Sequence, residues 1–278
     1  MKNTLNHIKL FENIRFGIII RSIEERTEKL CYDSCLQAVP KENIHIVRNI
    51  YPSFKAYIEM FKISIEYKYD WFLALDADMV LFPNWFDMVA EKIYKYNKSN
   101  LFVFGHLVED KFLGTIDRGN HCYNGFYSEL AIEAVSKAIK ESVKLERYIK
   151  KYIKGIKRIP TFTEKIAWHG FEQYNKDIYF RFWNRRRRNP TEEFKRKFID
   201  LVINNSNKKD LDYEVAKYGW DSYSIYDKML VRFSPKIANL STTEKKHEKI
   251  RLDLLDNGIN EKYHLNMNYN EFVDKYNC

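Results

Sequence analysis

Long apolar runs and helical periodicities alternate over the first hundred residues. Trp71-Phe72-Leu73-Ala74-Leu75 has no polar alternation and runs straight into Asp76-Ala77-Asp78. Such a run predicts a strand buried on both faces, as in a sheet covered by helices. The run Ile14 to Ile20 predicts an earlier buried strand ending at Arg21-Ser22. Ile44 to Arg48 and Leu101 to Phe104 predict two more. Ser22 and Glu25 have capping-box spacing, which predicts a helix starting at Ser22. Leu30, Cys31, Cys35, Ala38 and Val39 would form its apolar stripe, and Pro40 would stop it. A second helix is predicted through Phe54, Ile58, Phe61 and Ile65. A third opens at Pro83-Asn84-Trp85 and carries Trp85, Val89 and Ile93 on one side. Strand and helix alternate three times at short spacing. That predicts an α/β fold with a mostly parallel sheet flanked by helices.

The pattern changes at Gly105. Residues 105–125 are polar and punctuated by glycine, which marks a functional segment or edge strands. A long amphipathic helix or helix pair is expected from about Ser128 to Ile156, and an aromatic-rich stretch from Thr161 to Trp183. Two further helices are expected, from Thr191 to about Ile203 and from Ser241 to just before Gly258. No linker or repeat interrupts the chain. The expected division is an α/β half, 1–127, and a mainly helical C-terminal part, 128–278, packed as one unit.

Composition narrows the class. The 278 residues are 45% hydrophobic and 16% aromatic, enough for a packed core and far from disorder. No window reaches the ~20 apolar residues of a membrane span. The first residues lack a signal-peptide core, so a cytoplasmic location is expected. Cys31, Cys35, Cys122 and Cys278 suit reduced thiols, and the Cys31–Cys35 spacing suits one helix face better than a redox or zinc pair. The net charge of +9 favours an anionic partner.

The chemistry begins at Asp76 and Asp78. In open α/β sheets, ligands sit outside the carboxyl ends of the strands. Side chains alternate along a strand, so Asp76 and Asp78 are expected on one side, placed to share a divalent cation. No GxGxxG and no GxxxxGK[ST] follows the first strand, so neither a dinucleotide site nor a P-loop is supported.

A first βα unit without a glycine-rich loop, a buried strand ending in Asp-x-Asp near residue 77 and a polar segment after a fourth strand together resemble the GT-A glycosyltransferases. The resemblance covers about residues 14 to 130. It implies a GT-A-like, Rossmann-like fold and a hexosyltransferase-type transfer. The donor would be a UDP- or GDP-linked sugar, and the acceptor a saccharide, lipid-linked or protein group, as in bacterial surface glycan synthesis. It further implies donor binding at Ile20, Arg21, Ser22 and Tyr51, with Asp76 at the ribose or a metal-bound water. Mn²⁺ or Mg²⁺ would sit on Asp76 and Asp78, with Asp78 the direct ligand. His169, next to Gly170, is the expected third ligand, with His106 and His121 as weaker candidates. Inverting transfer needs a carboxylate base. Glu172, Asp110 and Asp117 are the candidates, Glu172 foremost.

The run Arg185-Arg186-Arg187-Arg188, beside Phe182 and Trp183, is read as a contact for an anionic membrane surface or a charged acceptor, or as a solvated loop. A nucleotidyltransferase that makes sugar nucleotides is the main alternative, but it would carry a glycine-rich basic loop after the first strand. A nucleic-acid binder would explain the charge. It lacks any helix-turn-helix, RRM or zinc-finger pattern, so no nucleic-acid partner is expected.

Overall fold

The computed structural model describes residues 14–51, 53–96, 100–117, 120–140, 157–158, 161–188, 200, 210–222, 254–255 and 258–276. The predicted alternation is present. In chain order come β1 (Phe16–Ser22), α1 (Glu28–Cys35), β2 (Ile44–Arg48), α2 (Ser53–Glu66), β3 (Trp71–Asp76), β4 (Met79–Leu81), α3 (Trp85–Tyr96) and β5 (Leu101–Phe104). The polar segment 105–125 holds three strands, β6 (His106–Asp110), β7 (Gly114–Asp117) and β8 (Asn120–Asn124). α4 (Ser128–Lys140), β9 (Lys157–Arg158), β10 (Phe162–His169), α5 (Asn175–Arg188), α6 (Leu211–Asp221) and α7 (Tyr269–Tyr276) follow.

Two sheets result. The larger has the order β2-β1-β3-β8-β5-β9 and is parallel except for β8, which runs antiparallel to both neighbours. β8 is therefore a central strand. Its Cys122 and Tyr123 are buried, which is why its polar flanks disguised it. The smaller sheet has the order β4-β10-β6-β7. Helices cover both faces of the larger sheet. On one face Phe16, Ile18, Ile20, Leu73 and Leu75 pack with Cys31 and Cys35 of α1 and Trp85, Val89 and Ile93 of α3. On the other, Ile19, Phe72 and Ala74 pack with Met60 and Phe61 of α2 and Ala131, Ala134 and Val135 of α4. Burying each large side chain contributes roughly 1.5–3 kcal/mol. The alternation of β1 and β3 residues between the two cores explains why these strands carry no polar residue in their interiors.

The chain forms two compact units, 1–171 with 266–278, and 172–265. The division falls later than residue 127 because α4 belongs with the first unit, packed on α2. The chain returns to the first unit at its end. There the Tyr269 hydroxyl donates to the Leu81 carbonyl (3.0 Å), and Phe272 meets Trp168.

Gly125 opens the turn into α4. Its N–H donates to the Asp70 carbonyl (2.8 Å), and any Cβ there would overlap the Tyr69 carbonyl oxygen. Gly125→Ala is therefore expected to destabilise the first unit by about 3 kcal/mol, read by urea unfolding. A change under about 1 kcal/mol would show that this approach relaxes freely.

In the second unit, the predicted loop of charge is the last turn of α5, where helix carbonyls favour cations. Arg185 is buried, and the Arg186 Nη1 donates to the Trp220 carbonyl (2.8 Å) at the end of α6. Phe182 is wholly buried, so it is no membrane-dipping side chain. The start of α5 is capped by Glu261, which accepts from the N–H groups of Asn175 (2.6 Å) and Lys176 (3.1 Å). Nearly all of the helices expected over 191–203 and 241–257 lies outside the described residues. Among the described residues no helix is long and apolar enough to cross a membrane.

Candidate functional site

The two sheets meet where β3 ends. Asp76 is the last residue of β3, Ala77 and Asp78 form a turn, and Met79 begins β4 in the other sheet. The alternation argument that placed both acids on one side therefore fails at Ala77, because the strand stops there. Each acid has its own partner. The Arg21 Nη2 donates to Asp76 Oδ1 at 2.6 Å, and the His169 Nε2 lies 3.1 Å from Asp78 Oδ2.

Strand register explains both pairs. Arg21 and Asp76 are neighbours across the parallel β1–β3 ladder. In the smaller sheet His169 lies opposite Met79 on one side and Asp110 on the other. That pairing brings the His169 Nδ1 to 2.6 Å from Asp110 Oδ2. Asp110 is itself fixed by the β6–β7 turn, where its Oδ1 accepts from the N–H groups of Phe112 (2.9 Å) and Leu113 (3.0 Å). Asp110, expected as a base, instead orients His169. Its side chain is closed off from solvent and its oxygens are engaged. Gly170 takes φ 77°, a left-handed turn open to glycine, and donates its N–H to the Asp78 carbonyl (3.1 Å). Trp168 alternates to the other side of β10 and packs on Phe82 and Phe272, so it supports the strand from behind.

Sequence reasoning missed Glu25. Its pairing with Ser22 exists, but as a loop clasp and not as a helix cap. Ser22 Oγ donates to Glu25 Oε2 (2.9 Å), and the Ile23 N–H donates to the same oxygen (2.7 Å). Glu24 at φ 64° turns the chain, and α1 starts only at Glu28. The Thr27 hydroxyl then donates to the Ala77 carbonyl (2.9 Å), tying the start of α1 to the Asp76–Asp78 turn. Burial, with repulsion from Asp78, pushes the Glu25 carboxyl up from 4.5 to about 7. Asp76, whose side chain is partly exposed, feels the same repulsion from Asp78 against the pull of Arg21. Strained carboxyls of this kind gather at functional sites.

The sign of the Glu25 effect follows. Between its ordinary value and about 7, the folded chain keeps a proton that the unfolded chain releases, so stability falls as pH rises through that window. In chelating buffer, Glu25→Gln is expected to remove a slope worth about 2–3 kcal/mol between about pH 4.5 and pH 7. Urea unfolding at the two ends of the window checks this. An unchanged slope would contradict it.

The other expected site residues are dispersed. Ile20 is fully buried in the core, and Ser22 is held in the Glu25 clasp. Tyr51 is half-buried in the β2–α2 loop. Asp117 is exposed at the opposite end of the β6–β7 hairpin, across from Leu107, far along the ladder from Asp110. His106 is a core imidazole between Phe104 and Phe162, its pKa lowered to about 4 by burial. His121, opposite Ala74 on β8, lies near enough to Asp76 to act on its charge. Glu172 opens the second unit at φ 54°. A hollow of about 680 Å³ lies at the other end of β3, beside Tyr69, Asp70 and Phe126, apart from these acids.

The donor set fits a divalent cation in part. The His169 Nδ1 faces Asp110 and its Nε2 faces Asp78, so a proton kept on Nδ1 would leave Nε2 as the nitrogen offered to a cation beside Asp78, as in carboxylate–histidine–metal arrangements. Among the described residues no three His, Cys, Asp or Glu side chains stand together closely enough to hold a metal unaided. Asp76, expected as a ligand, is engaged by Arg21. Two protein ligands suit an ion that takes the rest of its shell from phosphate and water, as Mg²⁺ and Mn²⁺ do.

No family model and no curated protein matches the chain. Among solved structures it is similar to a glycosyltransferase involved in the glycosylation of the major capsid of PBCV-1, at 12% identity and TM-score 0.42, covering 56% of this chain and 93% of that one. It is also similar to 4-diphosphocytidyl-2C-methyl-D-erythritol synthase from Anaerococcus prevotii, at 10% identity and TM-score 0.36, covering 55% and 89%. A third is CTP:phosphocholine cytidylyltransferase from Streptococcus pneumoniae, at 12% identity and TM-score 0.32, covering 56% and 93%. At these values the likenesses carry no statement about activity.

Proposed function

We propose that the chain is a divalent-metal-dependent glycosyltransferase that takes a sugar from a nucleoside-diphosphate donor and passes it to a glycan, lipid-linked or protein acceptor. One observation carries this: the His169 imidazole held between Asp110 and Asp78 at the carboxyl end of β3. That is where an open α/β sheet binds its ligand.

Asp78 and His169 would hold Mn²⁺ or Mg²⁺. When bound, the cation withdraws charge from the leaving diphosphate. Asp110 fixes the tautomer and aim of His169. Asp78 and Glu25 repel each other, so a cation between them would relieve that repulsion. Arg21 holds Asp76 next to the turn that carries Asp78.

The alternative, nucleotidyl transfer, is disfavoured by the loop after β1. Arg21-Ser22-Ile23-Glu24-Glu25 is acidic and closed by the Ser22–Glu25 clasp, where a nucleoside triphosphate needs an open basic cradle. The test incubates the protein with Mn²⁺ and a panel of UDP- and GDP-sugars, and separately with nucleoside triphosphates and sugar 1-phosphates. Release of nucleoside diphosphate from the first set supports the proposal. Release of pyrophosphate from the second set, with none from the first, would overturn it.

A further inference from the structure

Asp76 ends β3, is 40% exposed at its side chain and is separated by one residue from Asp78, whose charge repels both Asp76 and Glu25. Carboxylates crowded in this way would be drawn together on a divalent cation. Arg21 stands in the way. Its side chain is only 14% exposed, and its Nη2 is 2.6 Å from Asp76 Oδ1. Its guanidinium lies 4.3 Å from the centre of the Tyr57 ring, which fixes the plane of the fork. It stays cationic, because the attraction of Asp76 and Tyr57 outweighs its burial. The β1–β3 register and the hydrogen bond from the Ala77 N–H to the Arg21 carbonyl (3.0 Å) lock the two residues side by side.

We infer that Arg21 is a positioning residue that, through Oδ1, holds Asp76 away from the cation, so that the free protein offers it Asp78 and His169 without Asp76. The inference rests on the proposed metal site at Asp78 and His169. It has a consequence for order of binding. A site with two protein ligands holds Mn²⁺ weakly by itself and strongly once a diphosphate completes the shell. Arg21 therefore makes cation binding depend on the donor.

The experiment measures Mn²⁺ alone, by electron paramagnetic resonance of free ion and by counting waters on the bound ion, in four proteins: wild type, Arg21→Gln, Arg21→Lys and Arg21→Gln/Asp76→Asn. Arg21→Gln releases Asp76, so Mn²⁺ should bind at least about tenfold more tightly and lose one bound water. Arg21→Lys keeps the charge but not the fork, and should fall between. The double variant restores the net charge of the Arg21–Asp76 pair without either group. Its affinity and water count should match wild type, which a simple field effect of Arg21 also permits but the lost water does not. If Arg21→Gln binds no more tightly, or binds more tightly with its waters unchanged, the inference fails while the metal site stands. Should Arg21→Gln not fold, the double variant decides: an affinity about tenfold below wild type would mean that Asp76 is already a ligand. Absence of Mn²⁺ binding in wild type, with and without UDP or GDP, would overturn the metal site itself.

Discussion

Asp78→Ala should lower sugar transfer by about three orders of magnitude, roughly 4 kcal/mol of transition-state stabilisation. It should also abolish metal-dependent nucleotide binding while leaving the fold intact. The side chain is directed at His169, whereas the turn itself is held by backbone: the Asp78 carbonyl accepts from the Gly170 N–H and the Ala77 N–H donates to the Arg21 carbonyl. Removing the carboxylate also removes a repulsive neighbour of Glu25, so the thermal midpoint in chelating buffer should change little. Nucleoside diphosphate release and circular dichroism check the two halves. Wild-type turnover by Asp78→Ala with Mn²⁺ present would contradict the assignment.

Asp110→Asn should be almost as damaging, although Asp110 need touch no substrate. The amide can keep one oxygen toward the Phe112 and Leu113 N–H groups, but it then turns an NH₂ toward the His169 Nδ1. Two donors cannot face each other, so the imidazole would keep its proton on Nε2 and could not offer that nitrogen to a cation beside Asp78. Mn²⁺ affinity in the presence of a nucleoside diphosphate should fall about 10- to 100-fold. Replacing the charge-assisted bond to His169 by a neutral one should cost about 1–2 kcal/mol of stability. The two readouts separate the roles. Lost stability with unchanged metal affinity would leave Asp110 a purely structural residue.

Much of the α/β half was legible because its signals are local. β1, β2, β3 and β5 announce themselves as apolar runs, and the helix after Pro83 by its spacing. Gly170 and a return of the chain to the sheet point to His169 lying near Asp78, and the distance of 3.1 Å agrees. What stayed hidden depends on pairing. β8 reads as a polar segment but is buried between β3 and β5, a position that only the sheet order reveals. Asp76 and Asp78 look like neighbours on one side, yet the strand ends at Asp76, and Asp78 lies in the turn before β4 of the other sheet. Glu25 carries the spacing of a helix cap, and only the approach of the turn at residues 76–78 brings its carboxyl under the charge of Asp78. The four arginines look like a loop because the capping residue that starts their helix, Glu261, lies far along the chain.

The central claim is that Asp78 and His169 bind a divalent cation together with a nucleoside diphosphate. The most direct measurement is a thermal-shift titration of wild type and His169→Ala with UDP and GDP, each with and without Mn²⁺. A ligand that binds only the folded state raises the melting temperature. The expected result is a shift in wild type only when Mn²⁺ and one of the nucleotides are both present, and its loss in His169→Ala. An equal shift without Mn²⁺, or a full shift in His169→Ala, would contradict the account.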